Sequence, residues 1–374
     1  GIRFGGGSRG RDFFFSNIDQ RSKSQANFDP TTPFRVATTY LPDHNLPMLP
    51  RAISEWECSL VERNVRPCLA MDLYVSAEGA VVRVEFVECM VRVAHNYAYE
   101  SQEMRVDPVY RTIHDAVVRL NCGEGWLVDA MKDSHDVVEW LMLRMNCEAG
   151  KRLYAEGRGI FRSVVVEGGG DDEDISAHIT GKARKYMMQY RNTTASYELA
   201  GDDMGHGLVG WGGAGHTTHT THYAQITSPI RRFVDLINMT VMCEIIRGDG
   251  SAAHTHAARP FLTRPFLAHL NQQMCGIRRV QNDVALVAFG AENEGVVVEG
   301  VVVDVVDMEK GSRTNASDRP PHITVFVDGI GGGKSFSVPI REEMVVLLGD
   351  VVQLKVVSLP SKSTAYQKTR LCVV

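Results

Sequence analysis

Two adjacent arginines, Arg231 and Arg232, follow the turn-forming pair Ser228-Pro229 and open an apolar, helix-periodic run. A guanidinium is a planar, permanently charged fork of N–H donors, and a helix start adds unpaired backbone N–H groups, so the spacing suits the gripping of a phosphate. The same arginines also fit a plainer role, each in a salt bridge to an acidic partner inside the fold. Three other groupings carry chemically capable residues. His216, His219 and His222 recur every third residue, in a Gly/Thr-rich segment whose composition disfavours the helix that would gather them for zinc. Gly168-Gly169-Gly170-Asp171-Asp172-Glu173-Asp174, with only His178 nearby, describes a solvated acidic loop better than a metal cage. Gly331-Gly332-Gly333-Lys334-Ser335 ends like a phosphate-binding loop, yet its first glycine is at the wrong spacing and no helix-forming sequence follows, so a hairpin tip is expected.

The chain has 374 residues, 44% of them hydrophobic and 23% charged, with a formal net charge of −5. That length suits two or three domains, and the composition excludes general disorder. The acidic balance excludes a histone-like polycation, so any nucleic acid must bind in a local groove. Arginine outnumbers lysine about three to one, which suits phosphate contacts and equally reflects a GC-rich coding sequence. Apolar runs are short and Val-rich, below the roughly 20 residues of a membrane-spanning helix, so no membrane partner is expected. Eight cysteines lie scattered without zinc-site spacing, which points to reduced thiols in an intracellular compartment. The start, residues 1–11, is rich in Gly, Arg and Ser and lacks an initiator Met, as in a processed product or a fragment. It reads as a flexible RNA-touching tail, or as the remnant of an organelle-targeting segment that would place the protein in the mitochondrial matrix.

These residues must be positioned by a mixed set of elements. A short aromatic strand is expected over Asp12–Asp19, and a proline-punctuated connection with a short helix over residues 34–60. Residues 68–75 and 80–95 form β-rich runs around Ala77-Glu78-Gly79, the pattern of a hairpin. Helices are predicted from Asp107 to about Asn121, from Ser134 to about Tyr154 with Ser134 as N-cap, near Lys182–Tyr190, and over 227–247. Beyond residue 285, Glu294–Asp307, Ile323–Asp328, Ser335–Val338 and Asp350–Ser358 are Val-rich, giving about five strands if the first run bends at Gly300. Phe326 and Phe336 are its candidate base-stacking aromatics, or else core residues.

The stretch Tyr223–Leu236 resembles the signature of the RNase II/R (RNB) family of 3′→5′ exoribonucleases, Tyr-Thr-His-Phe-Thr-Ser-Pro-Ile-Arg-Arg-Tyr followed by Asp-Leu. Other blocks resemble the family in the family's order. They are Arg35–Asp43 with Leu46–Pro50, Cys58-Ser59-Leu60, Met90-Val91-Arg92, Tyr99-Glu100, and the helix carrying Val138–Asn146, with Ile160-Phe161-Arg162 and Gly205–Leu208 as weaker echoes. The resemblance implies an α+β chain: a flexible segment 1–11, an RNB-type catalytic-domain fold over 12–284, and a C-terminal OB-type β-barrel over 285–374. It implies that Arg231 matches the phosphate-binding arginine of the active site, with Arg232 beside it. Tyr40 matches the aromatic stacked on RNA, although taken alone it reads as a packing residue. The implied partner is single-stranded RNA, within a larger ribonucleoprotein.

Family chemistry is phosphodiester hydrolysis by Mg²⁺ held on clustered aspartates. That Asp-rich segment normally precedes the strand matching Phe13–Asp19, and this sequence carries no such cluster. Asp19 matches a later position and cannot replace it. The stretches between Leu120 and Ser134 and after Arg162 are shorter than in the family, Gln225 stands where the family has His, and Phe233 where it has Tyr. The expectation is a non-catalytic RNA-binding relative with no cofactor. The alternative is a Mg²⁺-dependent exoribonuclease whose aspartates lie upstream or on another chain, and a third reading is a fold-only relative.

Overall fold

The computed structural model describes residues 35–76, 80–124, 128, 131–163, 183, 186, 196–201, 222–248, 257–306, 321–341, 343–359 and 368–374. The Gly-rich start, the expected strand Asp12–Asp19, the acidic loop at 168–174, Gly205–Leu208, His216 and His219 lie outside them. In chain order the elements are β1 (Thr39–Tyr40), β2 (Asn45–Leu46), β3 (Val65–Val75), β4 (Val81–Arg92), α1 (Gln102–Val106), α2 (Pro108–Glu124), α3 (Ser134–Ala155), β5 (Ile160–Ser163), β6 (Ser196–Leu199), α4 (Phe233–Arg247), α5 (Arg264–Glu292), β7 (Val297–Val306), β8 (His322–Val327), β9 (Lys334–Pro339), β10 (Val351–Leu359) and β11 (Lys368–Val373). Two compact units divide the chain, one of residues 1–38, 47–165 and 195–273, the other of 39–46, 166–194 and 274–374.

In the first unit, β3 and β4 pair antiparallel from Val65↔Arg92 to Val75↔Val81, the expected hairpin. Helix α3 supplies the core through Val137, Trp140, Leu143 and Cys147, spaced three or four apart, against Val117 and Leu120 of α2 and Tyr223. Its N-cap is Asp133 rather than the expected Ser134. The Asp133 carboxylate accepts from the amides of His135 and Asp136, and the Asp136 side chain returns the bond. Ser134 is instead bonded to Glu100. Midway along α3, Gly150 has no side chain because a Cβ there would stand 2.2 Å from the carbonyl oxygen of His222. That contact lets residues 222–226 pass close beside the helix and into the arginine motif.

Helix α4 begins at Phe233, six residues later than the sequence suggests. Residues 228–232 form a turn in which the Ser228 carbonyl accepts from the amides of Arg231 at 3.1 Å and Arg232 at 3.0 Å. Arg232, extended at φ −137° and ψ 127°, is the N-cap residue. The helix ends at Gly248, left-handed at φ 66°.

The second unit is built on a five-stranded antiparallel sheet in the order β11-β10-β7-β8-β9, with β11 also approaching β9, so it is nearly closed into a barrel. Two expectations are corrected. The first Val-rich run does not divide at Gly300 but continues as β7, its register shifting between Val302 and Asp304. The fifth strand is β11, which the sequence reading did not assign. Gly300 serves close packing, since a Cβ there would meet Val325 Cγ1 at 2.3 Å. The run 331–333 is the hairpin tip expected between β8 and β9, with φ of 57°, 76° and 98°. Phe326 and Phe336 are buried, so the core role holds for both. Tyr186 stacks on Phe326 at 4.4 Å and donates its hydroxyl to Ser335. Helix α5, 29 residues long, was also unassigned, although Phe266, Leu267 and Leu270 and then Ala285 and Leu286 mark a buried apolar stripe.

Candidate functional site

The arginine turn sits in the first unit between two supports. On one side Val36–Thr38 runs antiparallel to it: Thr38 N–H donates to the Arg231 carbonyl at 2.9 Å, and Phe233 N–H donates to the Val36 carbonyl at 2.8 Å. On the other side lies the first turn of α4. Asp235, with no exposed surface, accepts from the Ser228 amide and from Arg232 Nη2, both at 2.8 Å on Oδ1. Arg232 Nε lies a further 2.8 Å from Oδ2, a charge contact whose angle is off the hydrogen-bond line. One buried carboxylate therefore holds the turn's backbone and one of its two arginines.

Burial raises the Asp235 carboxyl above its ordinary range, while Arg232, the Ser228 amide and the Arg231 charge pull it back. Arg232, although desolvation opposes its charge, is held more firmly protonated by Asp235. Arg231 is exposed, and its guanidinium makes no hydrogen bond or ion pair among the described residues. The two arginines thus divide: Arg232 turns inward to its salt bridge and Arg231 keeps its donor fork toward solvent. One residue before the turn, Thr227 Oγ1 is buried with no partner among the described residues.

The departures from the family pattern are structural neighbours of this turn. Gln225 is buried, accepting the Tyr197 hydroxyl at 2.6 Å on Oε1 and the Asn238 amide at 2.9 Å on its carbonyl. Phe233 packs edge-on to Phe261 at 5.1 Å. Tyr223 donates no charge to the site: burial pushes its hydroxyl up to about 12. His222, from the histidine series, stacks on Tyr154 at 3.6 Å.

Tyr40 belongs to the second unit, in the short β1–β2 pair, with its carbonyl accepting from Gln281 at 3.2 Å and its side chain 45% exposed. The residue that sequence reasoning passed over is Asp235. The signal was present, since an acid three residues after an arginine at a helix start is the spacing of an ion pair.

One grouping among the described residues has metal-compatible spacing: ligand atoms of Glu100, Asp133 and His135 lie within 4.8 Å of one another. Its donors are already committed. Glu100 Oε1 accepts from Ser134 N and Oγ, Oε2 accepts from Arg105 at 2.7 Å, and Asp133 Oδ1 caps α3. An adjacent arginine and an imidazole stacked at 3.8 Å on Tyr99 do not suit Mg²⁺, which asks for an open set of oxygens. The cluster is a helix-capping network.

The comparisons with known proteins agree with this architecture. Residues 21–115 match the family model described as RNB domain. A stretch of 76 residues is 37% identical to Exoribonuclease 2 of Shigella boydii, covering 20% of this chain and 12% of that protein. The apo form of Mycoplasma genitalium RNase R matches with a TM-score of 0.59 at 12% identity, over 91% of this chain and 63% of that one. The same enzyme in complex with ribose-methylated single-stranded RNA matches with a TM-score of 0.56 at 12% identity, again over 91% and 63%. The fold is RNB-type, and residues 21–115 carry the RNB-domain match. It spans less than two thirds of the length of the relatives it matches.

Proposed function

We propose that this chain binds single-stranded RNA through the arginine turn and does not itself hydrolyse it, acting within a larger ribonucleoprotein. The observation that carries the reading is the division of the two arginines. Asp235 fixes the turn and neutralises Arg232, leaving Arg231 exposed, its fork without a partner among the described residues and suited to a phosphate. Arg232 contributes by holding that geometry, and the exposed ring of Tyr40 offers a stacking face in its own unit. RNA as the ligand class is carried over to this chain from the similarly folded RNase R, whose structure is in complex with single-stranded RNA. In this reading the RNB-like part extends to about residue 284 and the strands beyond form an OB-type barrel. The β11-β10-β7-β8-β9 order with β11 returning toward β9 favours that assignment.

The second reading, a Mg²⁺-dependent 3′→5′ exoribonuclease completed by aspartates outside this sequence, is favoured by the retention of Arg231. Labelled single-stranded RNA incubated with a full-length preparation that includes any segments outside this sequence, in Mg²⁺ and in EDTA, separates the two. Intact RNA in both supports the first; shortening in Mg²⁺ alone supports the second. Binding is tested by anisotropy at fixed salt, where Arg231→Ala is expected to weaken the complex roughly 10–100-fold, the worth of a charged hydrogen bond of about 1.5–3 kcal/mol. Unchanged affinity refutes the arginine grip. Imaging of the tagged full-length protein tests the mitochondrial placement.

A further inference from the structure

The β3–β4 hairpin carries a pair of thiols that no part of the RNA reading uses. Cys68 and Cys89 stand directly opposite each other in the antiparallel register, both half-buried, with Sγ atoms 3.6 Å apart. Facing residues of an antiparallel pair have Cβ atoms about 4.5–5.5 Å apart, close to the separation a disulfide spans. We infer that Cys68 and Cys89 form an oxidative modification site, a cross-strand dithiol that a hydroperoxide converts to a disulfide.

Side chains alternate across a hairpin, so the pair shares its face with Ala70↔Val87, Asp72↔Glu85 and Tyr74↔Arg83. That face is polar and reachable: Arg83 lies 3.8 Å over the Tyr74 ring, Tyr74 donates to Glu85, and Val87 is 38% exposed. The opposite face carries Leu73, which packs against the core of α2 and α3, and Glu88, which is bonded to Arg247 of α4 at 2.8 Å. Cys243 of α4 is hydrogen-bonded to Glu88, so it lies behind the hairpin and away from Cys89. Alternation therefore selects Cys68 as the partner of Cys89 over this third thiol.

Burial, and then the contact with Cys89, push the Cys68 thiol up to about 12, while either sulfur can be the donor of the bond between them. With Cys89 as the attacking sulfur the disulfide forms in two steps. The Cys89 thiolate attacks the peroxide O–O bond, giving a sulfenic acid and releasing hydroxide. The Cys68 sulfur attacks the sulfenic sulfur, forming the S–S bond, and the displaced hydroxyl leaves as water with the Cys68 proton. In sum, two thiols and one hydrogen peroxide give one disulfide and two waters, with the thiols oxidised and the peroxide reduced.

The test uses the purified full chain treated with hydrogen peroxide, alkylated in denaturant without reduction, digested and mapped by mass spectrometry. The expected result is a linked peptide pair joining Cys68 to Cys89, a titratable thiol count lower by two from eight, and reversal by dithiothreitol. In Cys68→Ser the link is lost and a dimedone-trapped sulfenic acid accumulates on Cys89. Both cysteines remaining alkylatable while others oxidise overturns the proposal, as does linkage of either to a different cysteine. If Cys68→Ser does not fold, the peptide map of the unmodified protein decides alone.

Discussion

Replacing Asp235 by alanine removes the one carboxylate that serves both the turn and its inner arginine. Arg232, with a side chain only 21% exposed, loses its counter-charge while remaining buried, and the loss of one partner of a buried pair costs about 3–5 kcal/mol. The Ser228 amide also loses its acceptor, worth about 1–3 kcal/mol when such a group is left unpaired. Because both losses arise at one carboxylate they do not add in full, and the expected total is about 4–6 kcal/mol. That is a large share of the roughly 5–15 kcal/mol that holds a domain together. Urea unfolding followed by tryptophan fluorescence reads this unit, since the two described tryptophans, Trp56 and Trp140, both fall within its residue ranges. The double variant Arg232→Met/Asp235→Leu removes both charges and is expected to recover to within about 2 kcal/mol of the parent, because no uncompensated ion remains. A cost below about 1 kcal/mol for Asp235→Ala, or a double variant no better than the single one, would refute the clamp. Should Asp235→Ala fail to fold, Asp235→Asn, which keeps the shape and one acceptor, carries the same comparison.

Three further outcomes are expected. Bonds from Ser134 first, and then from Arg105, hold the Glu100 carboxyl down to about 2, below its unfolded value near 4.3. Its contribution is therefore fully present above about pH 4.5 and lost as pH falls toward 2, so the stability gap between parent and Glu100→Gln closes on acidification; a widening gap in acid urea titrations contradicts this. Asn238, fully buried, accepts from Ile160 N–H and donates to the carbonyls of Ile160 and Gln225, and Asn238→Ala orphans all three, lowering stability by about 2–4 kcal/mol in the same urea assay. Tyr40→Ala leaves stability within about 0.5 kcal/mol, because the ring is half exposed, and weakens RNA binding in anisotropy by about 1–3 kcal/mol.

Much of the fold was legible in periodicity. The alternating runs on either side of residues 77–79 gave β3 and β4, and the three-to-four spacing of Val137, Trp140, Leu143 and Cys147 gave α3, because burying one face fixes the repeat. The cap of α3 was misread by one residue, since Ser134 and Asp133 are both good capping types and only the bond from Ser134 to the Glu100 carboxylate decides between them. The start of α4 was misplaced because the Ser228–Arg232 turn is closed by local carbonyl bonds that apolar periodicity does not register. Strand β11 escaped because Lys368–Val373 is short and its pairing with β10 is set by a distant segment.

The sequence by itself pointed to the RNB-type fold and the arginine pair, because short motifs with fixed spacing carry turn and charge chemistry locally. It also determined that the chain beyond residue 285 is β-rich, through its Val-rich runs and glycine tips. What only the tertiary structure decided was which arginine faces outward. Arg231 and Arg232 are chemically identical and adjacent, and the choice falls to Asp235, whose burial in the first turn of α4 captures one guanidinium and, with Val36–Thr38 holding the backbone of the other, leaves Arg231 exposed.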